Sequence, residues 1–119
     1  MARVALLCPD LLFGSKVEGA LTAAGHDVRR LDTEDAARAE ASRSDLLIVD
    51  LTTDDFDGAV LVDSMKMGRE LVGVPTLGFF SHVDAETRRR AEQAGFDRVV
   101  PRSRMARETV ALAEGLIGG

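Results

Sequence analysis

A carboxylate at the end of a strongly apolar segment is the first candidate for chemistry in this chain. Residues 46–49 are continuously apolar, and Asp50 follows them directly. A run of this kind is typical of a strand in a parallel sheet that is covered on both faces. In such sheets the functional groups lie just beyond the carboxyl ends of the strands. We therefore ask which other side chains would lie near Asp50 at this edge of the sheet.

Six other residues follow the ends of apolar segments and could reach the same place. If the strands are parallel, their carboxyl ends meet at one edge, so these side chains should line one crevice with Asp50. A guanidinium that faces a carboxylate there would form a charge-assisted hydrogen bond, so we expect Asp50 to pair with Arg102. The six crevice residues are Cys8, Pro9, Asp10, Phe80, Ser81 and Arg102.

Two residues near these strand ends have reactive side chains of their own. Cys8 precedes a segment predicted to be helical, a position where a thiolate could act as a nucleophile. Pro9 removes one of the backbone amides that such a site needs to hold a phosphate, so we expect Cys8 to be a small buried side chain. His82 belongs to no evident catalytic triad, and we expect a surface or capping role for it.

These residues are expected to be positioned by strands that alternate with helices. Helical and strand-like spacing of the apolar residues defines the segments, and polar or glycine residues mark their ends. We expect Asp84 and Ser103 to cap helices and Gly95 to end one. The predicted strands are 4–8, 28–31, 46–50, 76–80 and 99–100, and the predicted helices are 11–24, 33–41, 58–71, 84–94 and 103–116.

The alternation predicts a doubly wound α/β domain with parallel strands and short connections. We expect the flavodoxin-like strand order 2-1-3-4-5, with strands one and three at the centre of the sheet. Helices on both faces would make three layers, α/β/α. The 119 residues are expected to form a single domain, 1–119.

The composition limits the classes of function. A net charge of −5 argues against nucleic acid as the main partner, because phosphate binding needs a concentrated basic surface. No apolar run approaches the ~20 residues that span a bilayer, so we expect no membrane segment. One cysteine allows no intramolecular disulfide and no thiol cluster for a metal. We therefore expect a cytoplasmic protein.

Charge is unevenly distributed along the chain. Residues 1–83 carry 14 acids and 8 bases, whereas residues 84–119 carry 6 acids and 7 bases, all of them arginine. Charged runs on helices are usually solvated, which is the simpler interpretation. The alternative is a partner-binding surface, which we call the arginine face: Arg88, Arg89, Arg90, Arg98, Arg104 and Arg107.

Three stretches resemble the receiver domains of response regulators. Residues 50–58 resemble that family's acceptor strand end and the turn after it, with Asp50 at the position of the phosphoryl-accepting aspartate. Residues 94–97 resemble the stretch before the family's last strand, and residues 23–28 resemble its helix exit into the second strand. The resemblance covers nearly the whole chain and implies the same flavodoxin-like fold.

The chain departs from the family at several site positions. The paired acids that hold Mg²⁺ in the family correspond to Cys8 and Pro9, and neither supplies the oxygen ligands that Mg²⁺ prefers. The family's hydroxyl residue corresponds to Phe80, and its lysine corresponds to Arg102, which is still a cation. The resemblance therefore implies a degenerate receiver, or pseudo-receiver, that is not an enzyme and has no metal or cofactor of its own.

The leading interpretation is a stand-alone pseudo-receiver that acts by protein–protein contact. The arginine face would bind a protein partner or a second copy of the chain, since the last strand and last two helices do so in the family.

Two alternatives stay open. One is a phosphorelay receiver that accepts a phosphoryl group on Asp50 with Mg²⁺, using Asp10, Ser81 and Arg102 as substitutes. The other is a small-ligand sensor that uses the crevice over Pro9, Asp10 and Ser81.

Overall fold

A five-stranded parallel sheet forms the centre of the molecule. The computed structural model describes residues 1–81 and 83–118, so His82 lies outside the described residues. The strands are ordered β2-β1-β3-β4-β5 and every neighbouring pair is parallel, which confirms the predicted flavodoxin-like α/β fold. The strands are β1 (Arg3–Leu7), β2 (Asp27–Leu31), β3 (Leu46–Asp50), β4 (Thr76–Phe80) and β5 (Arg98–Pro101).

Helices cover both faces of the sheet, as a three-layer arrangement requires. They are α1 (Leu11–Ala23), α2 (Glu34–Ala41), α3 (Gly58–Met67), α4 (Ala85–Ala94), α5 (Arg102–Arg107) and α6 (Thr109–Leu116). One buried cluster joins the sheet to α1, α5 and α6, and the other joins it to α2, α3 and α4. Among the described residues, no helix is long and apolar enough to cross a membrane.

The two central strands are mostly apolar, in residues 4–7 of β1 and 46–49 of β3, because both of their faces are covered. In β1, Val4 and Leu6 belong to one cluster, whereas Ala5 and Leu7 belong to the other. All five residues of β3 are buried, including its last residue, Asp50. Successive side chains of a strand point to opposite faces, so a continuous apolar run is required here.

Short polar side chains begin four of the helices, soon after strands end. In each case a side-chain oxygen accepts a hydrogen bond from the backbone amide three residues later, which satisfies a helix-end donor. Asp84 caps α4 as predicted, and Gly95 ends that helix with a left-handed φ of 97°. The four capping residues are Asp10, Thr33, Asp57 and Asp84.

Two helix predictions were wrong. The helix predicted over 58–71 ends at Met67, because Gly68 closes it and Arg69 adopts a φ of 60°. The helix predicted over 103–116 is divided into α5 and α6, and Ser103 does not cap it. At the division, the Thr109 hydroxyl donates to the carbonyl of Met105 at 2.6 Å, a bond that can bend a helix.

Candidate functional site

Asp50 lies at the carboxyl end of β3 and is almost completely buried, with 1% of its surface exposed. Its Oδ1 accepts hydrogen bonds from the Thr52 amide at 2.7 Å and from the Thr52 hydroxyl at 2.6 Å. Its Oδ2 accepts a weaker bond from the Cys8 thiol, with sulfur and oxygen 3.6 Å apart. A buried carboxylate needs such partners. All three donors are neutral groups.

The Cys8 thiol is buried at the end of β1 and faces Asp50. Burial raises the pKa of this thiol to about 12, and the negative charge of Asp50 adds to the effect. A thiol with so high a pKa stays protonated near neutral pH, so it donates its hydrogen to Asp50 and is a poor nucleophile. This environment agrees with the expectation that Cys8 is a small buried side chain.

Asp10 has the charged partner that we expected for Asp50. Its Oδ2 accepts a hydrogen bond from Arg102 Nη2 at 2.9 Å, while its Oδ1 caps α1 at the Phe13 amide. The Phe13 amide, followed by Arg102, lowers the pKa of this carboxyl below its ordinary value. The predicted pair between Asp50 and Arg102 was therefore wrong.

The position of Arg102 explains the difference. Its guanidinium carbon lies 4.3 Å from the centre of the Phe13 ring, so the charge stacks on an aromatic face. The Phe13 ring is supported in turn by Phe79, with ring centres 4.9 Å apart. The Arg102 side chain keeps 41% of its surface exposed, and full burial beside Asp50 would cost more desolvation.

The remaining crevice residues are Phe80, Ser81 and Pro9. Phe80 is buried, and the Arg88 guanidinium lies 6.0 Å from its ring centre on the α4 side. Ser81 is half-buried and lies between two clefts, and Pro9 is half-buried beside Asp10. Thr52, which holds Asp50, was missed by the sequence analysis. An aspartate side chain can accept a hydrogen bond from the backbone amide two residues later, and this local turn could have indicated it.

Two clefts open at this edge of the sheet and share Thr52 and Ser81. The first, which we call the acidic cleft, has a volume of about 440 Å³ and includes the side chains of Asp54, Asp57, Asp84 and Arg90. The second, which we call the Arg102 cleft, has a volume of about 380 Å³. Its wall consists of Phe13, Thr52, Ser81, Arg102, Ser103 and Ala106.

In the acidic cleft, Arg90 joins two helices. Its Nη2 donates to the Asp57 carboxylate at 2.8 Å, which links α4 to the first residue before α3. Burial opposes ionisation of Asp57, but the hydrogen bonds from Arg90 and from the Val60 amide lower its pKa overall. The carboxylate is therefore ionised near neutral pH, and Arg90 is held by it.

Most of the arginine face is paired with nearby acids. Arg88 pairs with Glu92, Arg89 with Glu86 and Arg90 with Asp57, while Arg104 and Arg107 both reach Glu108. Arg98 is exposed and has no ion pair with any described residue. The surface is thus rich in guanidinium groups, but its net positive charge is smaller than the sequence suggested.

The residues beside Asp50 do not suit Mg²⁺, the metal that paired acids hold in the family that the sequence resembles. The end of β1 offers a protonated thiol and a proline, while Mg²⁺ prefers oxygen ligands in near-octahedral geometry. The first carboxylate after β1 in the sequence, that of Asp10, forms an ion pair with Arg102. In the described part of the chain, no group of three or more His, Cys, Asp or Glu side chains could hold a metal ion.

Comparison with known proteins finds solved structures with the same fold. No protein-family model matches the chain, and no curated protein matches it. A proposed response regulator from Chloroflexus aurantiacus superimposes with a TM-score of 0.88 and 19% identity, covering 99% of this chain and 98% of that one. The receiver domain of a Pseudomonas aeruginosa sensor histidine kinase, which holds a magnesium ion in its active-site cleft, gives 0.85 and 18%, with coverage of 99% and 98%.

A longer protein contains the same fold as one part. NtrX from Brucella abortus, solved in complex with ADP, superimposes with a TM-score of 0.81 and 23% identity. The match covers 98% of this chain but 27% of NtrX, so the chain spans about a quarter of that protein. These comparisons agree with the observed strand order of the sheet. The chain has the CheY-like fold of response-regulator receiver domains.

Proposed function

We propose that this chain is a receiver-like signalling module that acts by binding a protein partner, without conventional Mg²⁺-dependent phosphorylation. The environment of Asp50 carries this proposal. Its carboxylate is buried and held by Thr52 and Cys8, and the Asp10 carboxylate that follows β1 is paired with Arg102. The module is accordingly a binding protein and not an enzyme, and it needs no cofactor for its contacts.

The chemistry of phosphoryl transfer supports this choice. Transfer to an aspartate depends on positioning and on neutralising charge that spreads over the phosphoryl oxygens. A metal ion normally makes the largest contribution, and the donors beside Asp50 are unsuited to one. Arg102 makes its ion pair with Asp10 instead of Asp50. Asp50 therefore lacks the surroundings of an efficient phosphoryl acceptor.

The arginine face is the surface that we propose for the partner. It is formed by α4, β5 and α5, and guanidinium groups are enriched in protein interfaces. Exposed pairs such as Arg89 with Glu86 are weak, so their arginines can exchange an internal carboxylate for one on a partner. An acidic protein surface, or an acidic part of a second copy of this chain, would complement it.

A nitrogen–proton NMR titration tests the loss of the phosphorylation switch. Mg²⁺ is added first, followed by beryllofluoride, which mimics an aspartyl phosphate. The Thr52 amide donates to Asp50 and is therefore a direct reporter. We expect the Thr52 and Ser81 amide signals to keep their positions, because Mg²⁺ finds no suitable ligand set.

Two variants make the titration decisive. The double variant Cys8→Asp/Pro9→Asp supplies the missing oxygen ligands, and we expect it to gain Mg²⁺-dependent shifts near Asp50. If the unaltered protein shows such shifts with beryllofluoride and Asp50→Asn abolishes them, the phosphorelay function is correct and our proposal is wrong.

A further inference from the structure

The Arg102 cleft has the features of a small-molecule site. Its volume of about 380 Å³ lies within the range of ligand-binding pockets, and it opens where β3, β4 and β5 end. We propose that this cleft binds a small organic anion with a flat apolar body, of the class of aromatic carboxylates. The proposal is independent of whether Asp50 can be phosphorylated.

The charge of the cleft favours an anion. Arg102 is the one charged residue among the described residues of its wall, because neither Asp10 nor Asp50 lines it. Arg102 binds Asp10 through Nη2, and its Nη1 and Nε form no hydrogen bond with any described residue. Guanidinium N–H groups match the spacing of carboxylate oxygens. Arg102 thus offers the cleft spare guanidinium donors, while Asp10 offsets part of its positive charge.

The shape and polarity of the wall favour a flat apolar body. The Phe13 ring is held by Phe79 and lies directly beneath the guanidinium, and Ala106 adds a methyl group nearby. A flat ring that packs beside Phe13 could reach Arg102 with its carboxylate. Ser81 and Ser103 also line the cleft, and their hydroxyls are possible hydrogen-bond donors, whereas the Thr52 hydroxyl already donates to Asp50.

The neighbouring acidic cleft provides a contrast within the same molecule. It shares Thr52 and Ser81 but adds the carboxylates of Asp54, Asp57 and Asp84. Hydrogen bonds keep the pKa of Asp57 and of Asp84 low, so both are negatively charged near neutral pH. An anion should therefore be repelled there. Selectivity between the clefts should depend on charge and not on volume.

An NMR titration with benzoate tests the proposal. We expect concentration-dependent shifts of the Phe13, Ser103 and Ala106 amides, with a dissociation constant in the millimolar range, since so small a ligand makes few contacts. Benzyl alcohol and benzylamine keep the ring but lack the negative charge. We expect both to bind at least fivefold more weakly than benzoate at these three amides.

Matched variants identify the binding group. Arg102→Gln should weaken benzoate binding at least fivefold, whereas Arg104→Gln, on the same helix and also ion-paired, should not change it. Ala106→Leu should reduce binding by filling the cleft while keeping Arg102, and a melting curve confirms that each variant is folded. Unchanged binding in Arg102→Gln, equal binding of benzyl alcohol, or shifts confined to other surfaces would overturn the proposal.

Discussion

Asp50 and Asp10 are two carboxylates at the same edge of the sheet, yet their environments are opposite. Asp50 is buried, and its partners are a thiol, a hydroxyl and a backbone amide. Asp10 is half-exposed, caps a helix and binds the guanidinium of Arg102. The more exposed carboxylate, Asp10, therefore has a charged partner, whereas the buried carboxylate, Asp50, has only neutral partners.

This difference shows how the fold limits the cost of burying polar groups. Bringing a guanidinium beside Asp50 would require a second ion to lose most of its water, which is expensive even in a good pair. Thr52 follows Asp50 by two residues and satisfies it locally, with no second charge to desolvate. Near the surface, Asp10 and Arg102 keep part of their hydration. The buried carboxylate is thus satisfied by its own turn, whereas the half-exposed one is paired with an ion from another element.

Replacement of Thr52 should produce the largest effect, because Asp50 has few other partners. Thr52→Val keeps the shape but removes the hydroxyl bond, and we expect the free energy of unfolding to fall by about 2 kcal/mol, as for hydrogen bonds to charged groups. Asp10→Asn keeps a capping side chain and removes only a half-exposed ion pair, so it should lower the free energy of unfolding far less. Urea denaturation of both variants at pH 7 measures the comparison.

Thr52→Ser is the matched control, since it retains the hydroxyl and should recover most of the stability that Thr52→Val loses. Equal losses in Thr52→Val and Asp10→Asn would mean that Asp50 gains little from its local donor. The contrast between a locally satisfied and an ion-paired carboxylate would then have no energetic basis.

The Cys8 thiol should make the folded protein sensitive to alkaline pH. Its pKa is about 12 in the folded state, against an ordinary value of 9.0, so the folded state holds its proton more tightly. The resulting stability is present below pH 9 and is lost as the pH rises from 9 towards 12, by about 1 kcal/mol between pH 9 and pH 10. Urea denaturation at these two pH values measures the loss.

The control is Cys8→Ala, which should lose less stability than the unaltered protein over the same pH interval. The chain contains no tyrosine, so few other groups titrate there. In Asp50→Asn the thiol pKa should fall, because the Asp50 charge contributes to raising it. Identical pH profiles for the unaltered protein and Cys8→Ala would show that folding does not raise the pKa of this thiol.

The fold could be predicted from the sequence because hydrophobic periodicity records burial. The limits of β3 and β4, the strand order and the Asp84 cap were all predicted correctly. The partner of Arg102 could not be predicted, because it depends on Phe13, which supports the guanidinium from another element. The division between α5 and α6 coincides with a hydroxyl bond from Thr109 and leaves no trace in the apolar spacing.

The arginine face extends the same comparison to pairs that are still more exposed. Arg89 and Glu86 each keep 62% of their side-chain surface exposed, so we expect Arg89→Gln to change the free energy of unfolding by no more than about 0.5 kcal/mol. The matched control is Arg43→Gln, because Arg43 is 61% exposed and is also paired three residues away, with Glu40, just beyond the end of α2.

The two variants should differ in association and not in stability. If the arginine face binds a second copy of the chain, sedimentation velocity should show weaker self-association for Arg89→Gln than for Arg43→Gln. The addition of salt should reduce the difference, because exposed charges are screened. Concentration-dependent association that is equal in both variants would exclude Arg89 from the interface. A loss of stability in Arg89→Gln alone would instead mean that Arg89 stabilises α4.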